Sequence, residues 1–258
     1  MQRSGMRGIK KKMKIFINNK FETLKNFILN ISERFDIEGH TIHKIRNEVK
    51  VFRVGDIEVN VKKFAIPHFF NRIVYTFFRK SKAERAYHNA LKLLSCGIDT
   101  PSPVGYLHIK RHGLFYDSYF ISLQSPYNRN LTEIIEKTEK ENIEVALGKF
   151  IALLHEKEVL HLDLSTGNIL FEEIDNEVHF SVVDLNRMKF CRIDKNLGCK
   201  NFNRLRVSEK VMRIIAKSYA CAQNFDENEC EKLILQNNAN YLKKYNLKKR
   251  LKNLSLRA

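Results

Sequence analysis

The stretch His161-Leu-Asp163-Leu-Ser-Thr-Gly-Asn168-Ile-Leu-Phe171 has the form H-x-D-x-x-x-x-N, set between a helical pattern and a hydrophobic strand. Val182-Val-Asp184-Leu-Asn186 follows, with a second acid at the end of another hydrophobic run. Phosphoryl transfer needs this set of groups. One carboxylate orients the acceptor hydroxyl and takes its proton; a second carboxylate and an amide hold Mg²⁺ on the nucleotide phosphates. The competing reading is two Asx-rich turns that cap strands, and the spacing and flanking pattern together favour the catalytic one.

The pattern resembles the catalytic loop and metal loop of the protein-kinase-like fold. That resemblance implies Asp163 as catalytic base, Asn168 and Asp184 as Mg²⁺ ligands, and His161 as a structural residue of the loop. It also predicts a strand lysine upstream for the α- and β-phosphates of ATP. Val59-Asn-Val-Lys62-Lys63-Phe64 supplies a V-x-V-K form. Lys62 is preferred, since strand alternation sets it opposite Val59 and Val61; Lys63 fits the template one residue later. A helix glutamate should pair with the lysine. Glu84 is the one acid of the helix predicted over residues 81–94, beside the stripe Ala83, Tyr87, Ala90, Leu91 and Leu94. His88, one turn on, is the alternative.

Other elements must carry these residues. Val49–Val54 and Ile57–Val61 read as a hairpin turning at Gly55-Asp56. Gly97 ends the helix, and Thr100-Pro-Ser-Pro103 is rigid and extended. Strands are predicted over 104–110 and 115–123, with Gln124-Ser-Pro126 as a connector. A helix over 143–156 follows, then a hairpin of 169–171 and 178–183 through Asp175-Asn176, and helix from about Val207. Residues 15–31 receive no assignment. The expected class is α+β: a bilobal protein-kinase-like fold with a β-rich N-lobe and a mainly helical, shortened C-lobe. The expected divisions are a basic extension with an unassigned segment (1–39), the N-lobe (40–123), the C-lobe (124–242) and a basic tail (243–258).

Several features depart from ordinary protein kinases. No G-x-G-x-x-G is present, Asp184-Leu-Asn186 stands in place of D-F-G, Ser165 occupies a usual lysine position, and no A-P-E segment follows. These departures argue for a small or lipid-linked acceptor rather than a protein. The chain is similar to the lipopolysaccharide kinase family, the Kdo and heptose kinases of Gram-negative bacteria. The likeness is carried over residues 42–205 by Val61-Lys-Lys-Phe64, Arg79-Lys-Ser-Lys-Ala-Glu-Arg-Ala-Tyr87, Gly97-Ile-Asp-Thr-Pro-Ser-Pro103, the catalytic loop and Asp184-Leu-Asn-Arg187. It implies ATP- and Mg²⁺-dependent phosphorylation of an inner-core sugar on lipid A, at the cytoplasmic face of the inner membrane. Arg187 and Lys200-Asn-Phe-Asn-Arg204 are candidates for gripping the sugar's carboxylate or phosphates.

Composition agrees with a membrane-surface acceptor. The 258 residues are 43% hydrophobic and carry a net charge of +17. Most of that charge lies at the ends. Residues 1–14 hold six basic groups and residues 243–258 hold seven, with no acid in either. Such ends suit anionic lipid or nucleic acid, or are simply solvated. No uncharged run exceeds 11 residues, so no membrane span is expected. No apolar run follows the basic start, so no secretory leader is expected. The five cysteines form no C-x-x-C pair, which argues for reduced thiols over a zinc site or disulfide framework. The segment Phe69-Phe-Asn-Arg-Ile-Val-Tyr-Thr-Phe-Phe-Arg-Lys80 suits either a lipid interface or N-lobe packing. Rival readings are a kinase for a soluble small molecule, a small atypical Ser/Thr protein kinase, or a pseudokinase or nucleic-acid module. The basic C-lobe disfavours the first, if its substrate is cationic. The intact Asp163, Asn168 and Asp184 disfavour a dead enzyme, and no RNA motif supports nucleic acid.

Overall fold

The computed structural model describes residues 11–127, 129–132 and 141–255. The chain forms two units: Met1–Ser95 with Thr100–Pro126, and Cys96–Asp99 with Tyr127–Ala258.

The first unit is built on a six-stranded antiparallel sheet. Its strands are β1 (Lys11–Ile17), β2 (His40–Lys44), β3 (Glu48–Val54), β4 (Ile57–Phe64), β5 (Pro103–Arg111) and β6 (Leu114–Leu123). They lie in the order β1-β5-β6-β4-β3-β2. The β3–β4 hairpin turns at Gly55, whose φ of +62° only glycine adopts freely. Each face of the sheet carries a helix. On one, α1 (Lys25–Ile37) buries Phe27, Ile28, Ile31 and Phe35 against Phe52, Val59, Val61 and Tyr119. Buried Lys50 closes the end of α1 by donating to the carbonyls of Phe35 (2.7 Å) and Glu38 (3.1 Å). On the other, α3 (Lys82–Ser95) packs Ala83 and Tyr87 against Phe64 and Tyr106.

Two findings here differ from the sequence expectations. The described part of the basic N-terminal stretch is an edge strand: β1 pairs with β5 from Lys11↔Arg111 to Ile17↔Gly105. And α3 buries Ala83, Ala86, Tyr87, Ala90 and Leu93, while Leu91 and Leu94 are exposed. Ala83, Tyr87 and Ala90 are common to both, and the buried face turns from Leu91 and Leu94 toward Ala86 and Leu93. Short α2 (Phe69–Phe77) lies between β4 and α3. Arg72 ties it to the sheet by donating to the Phe115 carbonyl (2.8 Å).

The second unit holds helices α4 (Glu141–Glu156), α5 (Lys195–Asn201), α6 (Glu209–Ala222) and α7 (Glu227–Ser255). Its strands are β7 (Arg129–Asn130), β8 (Val159–His161), β9 (Ile169–Ile174), β10 (Glu177–Val182) and β11 (Met188–Phe190). β10-β9-β7 form one small sheet and β11-β8 another. The β9–β10 turn is Asp175-Asn176, both at positive φ (50° and 65°), the backbone a two-residue hairpin requires. The core is the α4–α6 contact, where Ile143, Leu147, Ile151, Val211, Ile215 and Tyr219 are buried. Gly148 lets the two helices approach: a Cβ there would lie 2.5 Å from the Ile215 carbonyl oxygen. α7 runs without a break through the basic residues 243–250. Cys199 and Cys230 are buried together, with Sγ atoms 3.5 Å apart.

Candidate active site

The loop after β8 and the loop after β10 are fastened to each other by the main chain. Leu162 N–H donates to the Arg187 carbonyl (2.9 Å), and Val183 N–H donates to the Asn168 carbonyl (3.0 Å). His161, fully buried, makes a third tie. Its Nδ1 accepts from the backbone N–H of Asp163 (3.1 Å), so Nε2 carries the proton and donates to the Val183 carbonyl (3.2 Å). Burial depresses its pKa, which keeps the ring in the neutral form this double role needs. The sequence reading of His161 as a structural residue matches this geometry.

Asp163, Asn168 and Asp184 therefore sit on two joined loops. Asn168 Nδ2 donates to the Asp163 carbonyl (2.9 Å), which leaves the amide oxygen as its ligand-capable end. Asp184 has φ +58°, a left-handed backbone uncommon for a residue with a side chain, and its Oδ1 accepts from Asn186 Nδ2 (2.5 Å). One carboxylate and one amide oxygen suit Mg²⁺, which keeps its waters and takes its remaining ligands from nucleotide phosphates.

The Asp163 carboxylate is 26% exposed and meets two arginines. Arg204 Nη1 lies 2.6 Å from Oδ1, and Arg187 Nη1 lies 3.1 Å from Oδ2. Sequence reasoning offered both arginines to the acceptor; the structure gives each a bond to Asp163. Beside them opens a cleft of about 360 Å³, walled by Thr132 and residues 165–168 and by Arg204 and Arg206.

A buried relay supports the loop from behind. Tyr219 O–H donates to His155 Nδ1 (2.9 Å), His155 Nε2–H to Asn201 Oδ1 (3.1 Å), and Asn201 Nδ2–H to the His161 carbonyl (2.9 Å). Burial lowers the His155 pKa to about 4, so this ring too is neutral. Arg206 and Tyr219 carry no sequence signal, because no local spacing links them to residues 161–168; Asn201 lies in the segment offered to the acceptor and instead donates to the His161 carbonyl.

Lys62 and Glu84 belong to the first unit. β4 alternation separates its two lysines. Lys63 faces α1, where it pairs with Asp36 (3.0 Å) and lies over the Phe35 and Tyr119 rings. Lys62 shares the α3 side with Phe64, its ammonium 5.5 Å from that ring. Glu84 stands on the first turn of α3, capped by Ser81 Oγ (3.0 Å), and its carboxylate pairs with Lys80 at 3.9 Å.

The lipopolysaccharide kinase (Kdo/WaaP) family model matches residues 58–235, and the chain belongs to that family. Two curated relatives are named 3-deoxy-D-manno-octulosonic acid kinase. The one from Vibrio cholerae serotype O1 is 24% identical over 135 residues, covering 52% of this chain and 55% of the relative. The one from Mannheimia succiniciproducens is 23% identical over 119 residues, covering 45% and 49%. The matches thus span about half the length of these relatives. Among solved structures, WaaP in complex with acyl carrier protein superposes with a TM-score of 0.62 at 13% identity, covering 89% of this chain and 98% of that one. The shared fold is protein-kinase-like.

Proposed function

We propose that this chain is an ATP-dependent kinase that phosphorylates an inner-core sugar of lipopolysaccharide, Kdo or a heptose. The observation that carries the reading is the Asp163 carboxylate on an open cleft, on a loop tied by hydrogen bonds to the one that bears Asp184. Family membership and the names of the two relatives support the acceptor class, with Kdo the sugar both names specify.

In this reading the acceptor hydroxyl donates to Asp163. A carboxylate offers about four lone-pair sites. Arg204 and Arg187 use one on each oxygen, so acceptor capacity remains. The arginines fix the carboxylate's rotamer, and Asp163 takes the proton as the new O–P bond forms and the bond to ADP breaks. Lys62 holds the α- and β-phosphates, with Glu84, from the helix on the same side of the sheet, as its pairing carboxylate. Asn168 and Asp184 hold Mg²⁺, which when bound neutralises charge on the phosphates. Most of the rate then comes from positioning and charge stabilisation.

The acceptor is anchored in a membrane, and the chain is read as peripheral to the inner membrane's cytoplasmic face. Among the described residues no helix is long and apolar enough to cross a membrane. Phe69, Phe70, Phe77 and Phe78 are 58–82% exposed, on and just after α2. Between Glu58 and Glu84 the chain has no acid and six lysines or arginines. Exposed aromatics among cations suit an anionic lipid interface.

The test is transfer of labelled γ-phosphate from ATP to purified lipid A–core. Label is expected in the glycolipid, with Asp163→Ala lowering turnover about 10²–10⁴-fold, the usual range for a general base. Label found only in protein or in soluble sugar would refute the reading.

A further inference from the structure

Two arginines on the cleft lie over aromatic rings of the C-terminal helix. Leu205 is fully buried and anchors the turn between Arg204 and Arg206. Arg206 has φ +54°, a conformation that costs a side-chain-bearing residue energy and is held by its surroundings. Arg204 lies over the Tyr241 ring (5.6 Å) and Arg206 over the Tyr245 ring (5.2 Å). The two tyrosines, one helical turn apart on α7, stack with centroids 6.3 Å apart. Arg204 is engaged by Asp163. Among the described residues no carboxylate pairs with Arg206, although it lines the same cleft. After Glu231 the chain contains no acid. Guanidinium groups held over aromatic rings at the wall of a cleft make a site for a planar or tetrahedral oxyanion.

We propose that Arg206, with Arg204 beside it and Tyr245 and Tyr241 behind, forms an oxyanion subsite that binds a carboxylate or phosphate of the acceptor. The subsite sets the acceptor's orientation against Asp163, and it makes α7 part of acceptor recognition. The inference rests on Asp163 facing the acceptor. Arg206 is the binding residue; Tyr245 is a positioning residue that acts through it.

The test needs neither ATP nor transfer. Nitrogen-15 signals of the arginine Nε–H groups in the full chain are followed as sodium 3-deoxy-D-manno-octulosonate, its methyl ester and inorganic phosphate are added in turn. The octulosonate is expected to shift the Arg206 signal saturably, with the ester binding at least tenfold more weakly. Arg206→Ala should weaken octulosonate binding at least tenfold, and it leaves the Arg204–Asp163 pair in place. Tyr245→Phe should bind as wild type and Tyr245→Ala several-fold more weakly, because the ring face and not the hydroxyl supports the guanidinium. Phosphate binding without octulosonate binding would support the subsite and assign it to a phosphate group. Equal binding of acid and ester, or binding of both anions unchanged in Arg206→Ala, would overturn it. In the transfer assay Arg206→Ala should raise the acceptor KM tenfold or more at unchanged KM for ATP. Anion binding at Arg206 in a chain that transfers nothing to lipid A–core would uphold the anion site and refute lipopolysaccharide as the acceptor.

Discussion

Arg204 donates to Asp163 across 2.6 Å, joining residues 41 apart in the chain, and Arg187 occupies the other carboxylate oxygen at 3.1 Å. The residue assigned as base is thus held from two directions before an acceptor arrives. Hydrogen bonds to charged groups contribute about 1.5–3 kcal/mol. Arg204→Ala is therefore expected to lower kcat/KM for the acceptor about 10–150-fold, with ATP affinity unchanged. Steady-state kinetics with each substrate varied in turn check this.

Asp184 and Asn168 are assigned the metal. Asp184→Ala should abolish the Mg²⁺-dependent part of nucleotide affinity, and Asn168→Ala should weaken it. Asp163→Ala should leave it intact. Calorimetric titration of ATP with and without Mg²⁺ separates the three variants.

Burial lowers the pKa of both His108 and His155 from 6.5 to about 4, and both rings are hydrogen-bonded inside the protein. The unfolded chain binds their protons first as pH falls, so their neutral folded forms are fully favoured above about pH 6.5. Stability should fall between about pH 6.5 and 4 and then level for these groups. Each contributes on the order of 3 kcal/mol over that window. Urea unfolding midpoints across the range should show the slope, and His155→Gln should flatten it.

Gly148 sits where α4 meets α6, with room for hydrogen only. Gly148→Ala gains helix propensity of about 1 kcal/mol. It also forces a Cβ to within 2.5 Å of the Ile215 carbonyl oxygen and 2.7 Å of Ser218 Cβ. Overpacking of this kind costs about 1–3 kcal/mol. Because the main chain of α6 cannot yield cheaply, net destabilisation is expected. Thermal melts of the variant read it directly.

The exposed phenylalanines around α2 give the membrane reading its own test. Phe70→Ser with Phe78→Ser should leave the melting temperature within about 2 °C, since both rings are more than 80% exposed. It should sharply reduce cosedimentation with vesicles of phosphatidylglycerol and phosphatidylethanolamine. Unchanged sedimentation would remove α2 from the interface.

What was legible in the sequence was mostly local. Asp163 and Asn168 are five residues apart, and one loop brings the Asn168 amide to the Asp163 carbonyl, so spacing alone exposed them. Gly55 and Asp175-Asn176 declared their turns because few residues tolerate positive φ. Non-local pairing was not legible. Lys11–Ile17 reads as a basic end and becomes a strand only through its register with β5. Alternation favours Lys62 over Lys63 as the phosphate lysine only by setting it opposite Val59 and Val61; that Asp36, from α1, engages Lys63 is a non-local fact. The aromatic pattern of α2 did not say which rings face solvent. Tyr75 packs on Phe115 while Phe70 and Phe78 do not pack inward. Arg204 and Asn201 enter the site from α5 and the turn after it, across separations that no spacing rule encodes.

Whether this chain phosphorylates the lipopolysaccharide core is read most directly by mass spectrometry of lipid A–core from cells with and without this gene. One phosphate is expected to be lost from a core sugar in its absence, restored by the wild-type chain and not by Asp163→Ala. A core glycolipid of unchanged mass, beside ATP turnover by the purified protein, would contradict it.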